Sequence, residues 1–249
     1  MSVPVLRRLA GSFQFLTLLP IHGDTSSPAE AAVFFPLTGA VLGAFAGIVA
    51  KYGTMAFGRS LGSLLALTFL ELISGGLHED GLADVADAIR AGRSRERMLV
   101  ILKDSRVGTY GGSALMVFFI LRWQSIENTN VPLIAGLCVA IALSRASMVI
   151  MASSTAPIAP GLGQAFAAGC HRGTLFVVLF QCALLLAALG WYGGWGHTLA
   201  LAGVCAAVLA TTRAWFVRRL RGVNGDCLGA TCVAIETAAL LVMAWRRSF

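Results

Sequence analysis

Apolar residues run along this chain in long blocks rather than in alternation. The blocks fall at about 33–57, 60–77, 111–125, 132–152, 173–192, 198–217 and 229–245. A membrane-spanning helix needs roughly 17 to 25 mostly apolar residues, so several blocks qualify and 111–125 is marginal. Inside lipid the backbone must satisfy its own hydrogen bonds, which selects helices, and the ten-residue alternation of a barrel strand is absent. The pattern predicts an all-α, polytopic integral membrane bundle of about seven transmembrane helices, a single domain over 1–249. Leu6 to Leu19 is apolar but broken by Gly11, Ser12, Gln14 and Thr17, and reads as an interfacial or re-entrant helix. No small-residue cleavage pattern follows it, so no removable signal peptide is expected.

The long polar break at 78–110 has a helical period of its own. One short helix is expected from about Glu79 to Ile89 and a second from about Arg95 to Lys103, with a turn between them and Ser94 as N-cap. Composition agrees with the membrane reading: 57% of residues are hydrophobic and 12% charged, against about 25% charged in a soluble domain. Mean hydropathy is +0.79. The six cysteines form no C-x-x-C pair and sit mostly in apolar runs, so they read as small buried hydrophobes rather than as disulfides or zinc ligands. The net charge of +7 is informative by place. Arg90, Arg93, Arg95, Arg97, Lys103 and Arg106 lie in the polar break, and Arg218, Arg219 and Arg221 follow the sixth block. The positive-inside rule puts both segments, and the N-terminus, in the cytoplasm. Seven spans would leave the C-terminus outside, where Arg246 and Arg247 sit against that rule.

Seven of the twelve acids lie between 71 and 104. Asp80, Asp84 and Asp87, at i, i+4 and i+7, share one helix face. Like charges stacked in this way repel by a few tenths of a kcal/mol per pair. The face is either solvated or occupied by a hard divalent cation such as Mg²⁺, which oxygen ligands suit. The glycine-rich segment 103–112 can offer backbone N–H groups, Lys103 and Arg106 to a phosphate while Asp104 joins the metal. It is no Walker A loop. A third cluster at 221–230 holds Asn224 and Asp226. Arg145 and Glu236 lie inside apolar blocks, where ionisable groups are costly and functional by default. Arg145 is expected to pair with an acid or a phosphate. His78 precedes the acidic helix off the face of the triad, so it caps, ligates or binds substrate. Glu71 reads as a packing or snorkelling acid, His22 and His197 as loop residues, and His171 as a weak substrate contact.

Four motifs in these regions carry a resemblance. Gly-Gly-Leu-His-x-Asp-Gly-Leu-Ala-Asp-x-x-Asp at 75–87, Lys-Asp-Ser-Arg-x-Gly-Thr-Tyr-Gly at 103–111, Ser144-Arg145, and Asn-Gly-Asp-x-x-Gly-Ala at 224–230 resemble the cobalamin synthase (adenosylcobinamide-GDP ribazoletransferase) family. Phe-Leu-Thr-Leu-Leu-Pro at 15–20 and Phe-Pro-Leu-Thr-Gly at 35–39 fit the same pattern, so the likeness covers nearly the whole chain in order. Glu79 departs from it, standing where an apolar residue is expected, and Asn224 stands where a Thr commonly does.

The resemblance implies a Mg²⁺-dependent multi-pass enzyme of the bacterial inner membrane, with its active site facing the cytoplasm. It would join adenosylcobinamide-GDP to α-ribazole, or to α-ribazole 5′-phosphate, and release GMP late in cobalamin biosynthesis. Carried onto this chain, Asp80, Asp84, Asp87, Asp104 and Asp226 would hold metal. Asp84, Asp87, His78 and Asp104 would carry catalysis. Lys103, Arg106, Arg145 and Asn224 would meet substrate phosphate, with Glu79 and Glu236 as further candidates. The bilayer is a partner, no nucleic acid is expected, and a homo-oligomer or an assembly with other enzymes of the pathway stays open. Two alternatives fit less well. A CDP-alcohol phosphotransferase pattern aligned on Asp80-Gly81 fails at Leu77, Asp84 and Val85. A divalent cation transporter would place its acids at mid-span in several helices rather than in one loop.

Overall fold

The computed structural model describes residues 4–21, 26–91, 94–104, 106–158 and 162–245. His22, Arg93, Arg246 and Arg247 lie outside them. Among the described residues every regular element is helical, apart from one isolated bridge between Pro157 and Val223. Helix α1 (Val5–Leu16) leads to α2 (Pro28–Ala31), which runs through a 3-10 turn (Ala32–Phe34) into α3 (Phe35–Phe57). Then come α4 (Arg59–Ser74), α5 (Leu77–Ala91), α6 (Arg95–Ile101), α7 (Thr109–Glu127) and α8 (Leu133–Ser154). The chain closes with α9 (Leu162–Gly169), α10 (Arg172–Gly193), α11 (Trp195–Leu220) and α12 (Gly225–Ala244). Ser94 caps α6 by accepting from the Arg97 N–H at 3.3 Å, as the sequence suggests.

The protein is an all-α, polytopic membrane bundle. Among the described residues five stretches are long and apolar enough to cross a membrane alone: Pro28–Phe57, α8, α10, α11 and α12. Helices α4 and α5 meet that requirement only together, bent by 89° at their junction. By length and composition the count among the described residues is therefore five or six, against the seven expected. Helix α7 is not among them, because the Thr-Tyr-Gly-Gly at its start and Arg122, Gln124 and Glu127 near its end dilute its apolar run, yet it reaches from Asp87 at one end to Ser60 at the other.

Helices α8 and α12 form the axis: 72% and 78% of their most apolar stretches are buried, against 28% and 17% for α10 and α11. Helix α3 lies against α8 through Gly39, Gly43 and Gly47, one per turn. A Cβ on Gly39 would fall 2.6 Å from the Ile141 carbonyl oxygen, so the absent side chains let two backbones touch. In lipid, where burial from water no longer drives helices together, such close contact is a main source of association energy.

Hydrogen bonds between elements define two ends. At one, the Trp123 indole N–H donates to the Ser60 carbonyl (2.9 Å) and the Asn130 N–H to that of Met243 (3.0 Å). At the other, the Leu18 N–H reaches the Ile73 carbonyl (2.8 Å) and Arg95 Nε the Leu220 carbonyl (2.8 Å). This second end gathers α1, α5, α6 and the starts of α7 and α12. It also collects Arg90, Arg95, Arg97, Lys103, Arg106, Arg218, Arg219 and Arg221.

Candidate active site

The site begins at the bend. Gly75 and Gly76 have φ of 65° and 69°, a left-handed pair that other residues rarely adopt. They turn the chain by 89° so that α5 packs against α12 and α7 instead of prolonging α4. Helix α5 buries Leu82, Ala83, Val85 and Ala88, leaves Asp80 exposed, and keeps Asp84 and Asp87 half-buried.

Helix α12 starts directly against α5. A Cβ on Gly81 would lie 2.9 Å from the Cα of Asp226, and one on Gly229 would lie 3.2 Å from the His78 carbonyl oxygen. The glycines of both motifs thus bring the first turn of α12, with Asp226, up to the α5 acids. Asn224 caps that turn: its Oδ1 accepts from the Cys227 N–H (3.1 Å) and its Nδ2 donates to Asp226 Oδ2 (2.6 Å). The departure from Thr at this position therefore keeps the cap and adds a donor to the acid.

Electrostatics mark Asp84. Burial, then the negative charges of Asp226, Asp80, Asp87 and Asp104, push its carboxyl up to about 6. Asp104 goes the other way. Two side-chain hydrogen bonds from Arg106 (3.0 and 2.8 Å) and one from its backbone N–H (3.1 Å) hold it down at about 2. Lys103 and Arg106 are exposed beside it.

Asp87 is committed elsewhere. Its Oδ2 accepts from the Gly108 N–H (2.7 Å) and its Oδ1 from the Gly111 N–H (2.9 Å). The loop amides expected to meet a phosphate go to this carboxylate instead, because the start of α7 offers unsatisfied N–H groups and a positive dipole end. A Cβ on Gly108 would fall 2.6 Å from Asp87 Oδ1, which accounts for glycine there.

Below this face lies a buried charge network. Arg122 Nη1 donates to Glu79 Oε1 (2.9 Å) and to Glu236 Oε1 (3.2 Å), and its Nη2 pairs with Glu71 Oε1 at 2.9 Å. Arg145 Nη1 donates to Glu236 Oε2 (2.9 Å). His78 is 1% exposed, and neither ring nitrogen has a hydrogen-bond partner. The structure thus puts His78, Glu79, Arg145 and Glu236 inside the bundle, under the carboxylate face rather than on it. Arg145 finds a buried acid rather than an open position, and Glu71, expected to pack or snorkel, is an ion-pair partner of Arg122. The sequence reading passed over Arg122, although an Arg in an apolar block is the signal that singled out Arg145. His197 sits in the first turn of α11 rather than in a loop, and His171 caps α10 by accepting from the Thr174 N–H at 3.2 Å.

A groove of about 520 Å³ opens beside Asp80, between α1, the α4–α5 bend and α7. Among the described residues no three His, Cys, Asp or Glu side chains converge as closely as an all-protein metal cage requires. The donors still fit Mg²⁺. That ion keeps several waters and binds one or two carboxylates together with substrate phosphates. Asp84 and Asp226 supply hard oxygens whose mutual repulsion a cation would relieve.

A membrane-embedded helical bundle with a carboxylate face flanked by exposed cations at one end has the features of a membrane enzyme. The chain belongs to the cobalamin-5-phosphate synthase family, whose model matches residues 8–244, and is a transferase of cobalamin biosynthesis. It is 36% identical to the adenosylcobinamide-GDP ribazoletransferase of Bradyrhizobium diazoefficiens, over 95% of this chain and 92% of the relative. It is also 36% identical to that of Herpetosiphon aurantiacus, over 96% and 97% of the two chains. The Vibrio cholerae protein of the same name is 32% identical over 94% and 91%. No solved structure matches.

Proposed function

We propose that this chain joins adenosylcobinamide-GDP to α-ribazole, or to α-ribazole 5′-phosphate, and releases GMP. Its active face would lie at the cytoplasmic side of a bacterial inner membrane. The observation that carries this reading is the meeting of the α5 acids with Asp226 through Gly81, at the end that also gathers the exposed basic residues.

The reaction forms a bond between a ribazole hydroxyl oxygen and the phosphorus on the cobinamide side of the pyrophosphate. It breaks the bond from that phosphorus to the GMP oxygen, and the hydroxyl proton leaves. Asp84 and Asp226 would hold Mg²⁺, which would neutralise charge developing on the phosphate oxygens. Lys103 and Arg106 meet the pyrophosphate from the loop. Asp80, exposed at the edge of the groove, takes the hydroxyl proton. Asp87 keeps α7 seated, and Arg145 with Glu236 supports α12 from below.

The test is GMP release by purified protein in detergent, given both substrates and Mg²⁺. Asp84→Asn should lower turnover by about a hundredfold or more, the scale of losing a principal charge-stabilising group. Turnover indifferent to Asp84 would keep the transferase and remove this metal assignment. No release from folded wild-type protein would sink the reaction itself.

A further inference from the structure

The groove beside Asp80 has no occupant in the chemistry above. Its apolar wall groups are Phe15 and Leu18 on the α1 side and Val107 and Leu115 on the α7 side, and Gln14, Thr17 and Ser74 add neutral polar groups that can meet ring nitrogens or sugar hydroxyls. Among the described residues lining it, Asp80 is the one ionisable side chain. We propose that this groove binds the aromatic base of the acceptor nucleoside, α-ribazole, and so sets its ribosyl hydroxyls at Asp80. The inference rests on the transferase reading and adds to it the place of one substrate.

Size argues first. At about 520 Å³ the groove falls within the range of small-molecule sites, about 300 to 1,000 Å³. That is ample for a nucleoside with one fused base and far too little for a corrin ring carrying a nucleotide. Charge argues second. The donor bears a pyrophosphate, and a lining with a carboxylate and no cation repels it, whereas Lys103 and Arg106 lie outside the groove. A neutral base incurs no such cost.

The walls are also fixed in advance. The Phe15 ring stacks on Phe35 at 5.5 Å between centroids, and Phe35 on Phe166 at 5.2 Å, so the aromatic wall is held from behind. The Leu18 N–H bond to Ile73 ties the α1 side to the bend (2.8 Å). A Cβ on Gly76 would meet nothing within 4 Å, leaving space open at the bend. A flat aromatic ring suits such a slot, since stacking and apolar burial supply affinity without a charged partner.

Leu115→Trp and Val107→Trp would each narrow the groove from the α7 side. The KM for α-ribazole should rise about tenfold or more, a loss of about 1.4 kcal/mol. The KM for adenosylcobinamide-GDP should stay within about twofold, and kcat at saturating α-ribazole should be largely kept, as for lost uniform binding. A rise confined to adenosylcobinamide-GDP, an equal rise in both, or no change in either overturns the proposal. Wild-type protein assayed in parallel separates the two levels: its failure to release GMP would sink the transferase reading, whereas unchanged constants in the variants sink only the groove. Should the tryptophan variants not accumulate, Val107→Cys replaces them. α-Ribazole alone should slow maleimide modification at position 107 several-fold and adenosylcobinamide-GDP alone should not, while the reverse order, or protection by neither, overturns the proposal.

Discussion

Asp87 shows how one carboxylate can share a helix face with the acids proposed to hold metal and yet serve another purpose. Its two oxygens accept from Gly108 and Gly111, residues on the far side of the polar break. The expected consequence is that Asp87→Asn acts on stability before affinity. Asn keeps one acceptor oxygen and loses the charge, so the cost should be about 1.5 to 3 kcal/mol, the range for hydrogen bonds to ionised groups. Thermal unfolding in detergent would read this as a lowered midpoint, with the Mg²⁺ concentration for half-maximal activity shifted less than in Asp84→Asn. A larger metal shift in Asp87→Asn would make it a ligand after all. The i, i+4, i+7 face was legible because a helical period is a local property. The commitment of Asp87 was not, since it depends on contacts 21 and 24 residues away.

At the scale of elements, Arg122 ties α7 to α4 through Glu71, to α5 through Glu79 and to α12 through Glu236. Removing one partner of a buried pair leaves uncompensated charge and costs about 3 to 5 kcal/mol. Arg122→Gln should therefore lower yield and melting temperature sharply. Glu79→Gln added to it should restore part of the loss by removing one stranded acid, and a double variant no better than the single one would argue against the network. The two buried arginines also show where the sequence signal faded. Arg145 stands out in the long block 132–152, whereas Arg122 sits near the end of the marginal block 111–125, where a charge reads as a helix boundary. Glu79, which breaks the family pattern, is explained by the same contact. The bend was missed for a related reason: the apolar run to residue 77 masked the glycine pair that ends α4 at Ser74.

For the whole molecule, hydropathy alone was enough to give an all-helical membrane bundle, because lipid leaves the backbone few choices. What it could not give was the division of labour among the helices. α8 and α12 are central while the similarly apolar α10 and α11 stay peripheral, since burial against protein and burial against lipid look alike in sequence. The clustering of basic residues at one end predicts sidedness. A cysteine replacing Arg221 should react with a membrane-impermeant maleimide only after the cytoplasmic side is opened. A cysteine replacing Tyr192, at the other end and 90% exposed, should react in intact cells. Labelling in the opposite order would invert the orientation.

Asp87 and Arg122 join the same two helices at two levels, about 12 Å apart along α5 and about 16 Å along α7 at 1.5 Å per residue. One tie would act as a pivot; two fix the angle as well as the distance. The acid row on α5 therefore cannot swivel, and its heading is set before any substrate arrives. Recognition here is preorganised: little of the binding energy of either substrate goes into shaping the surface that receives it.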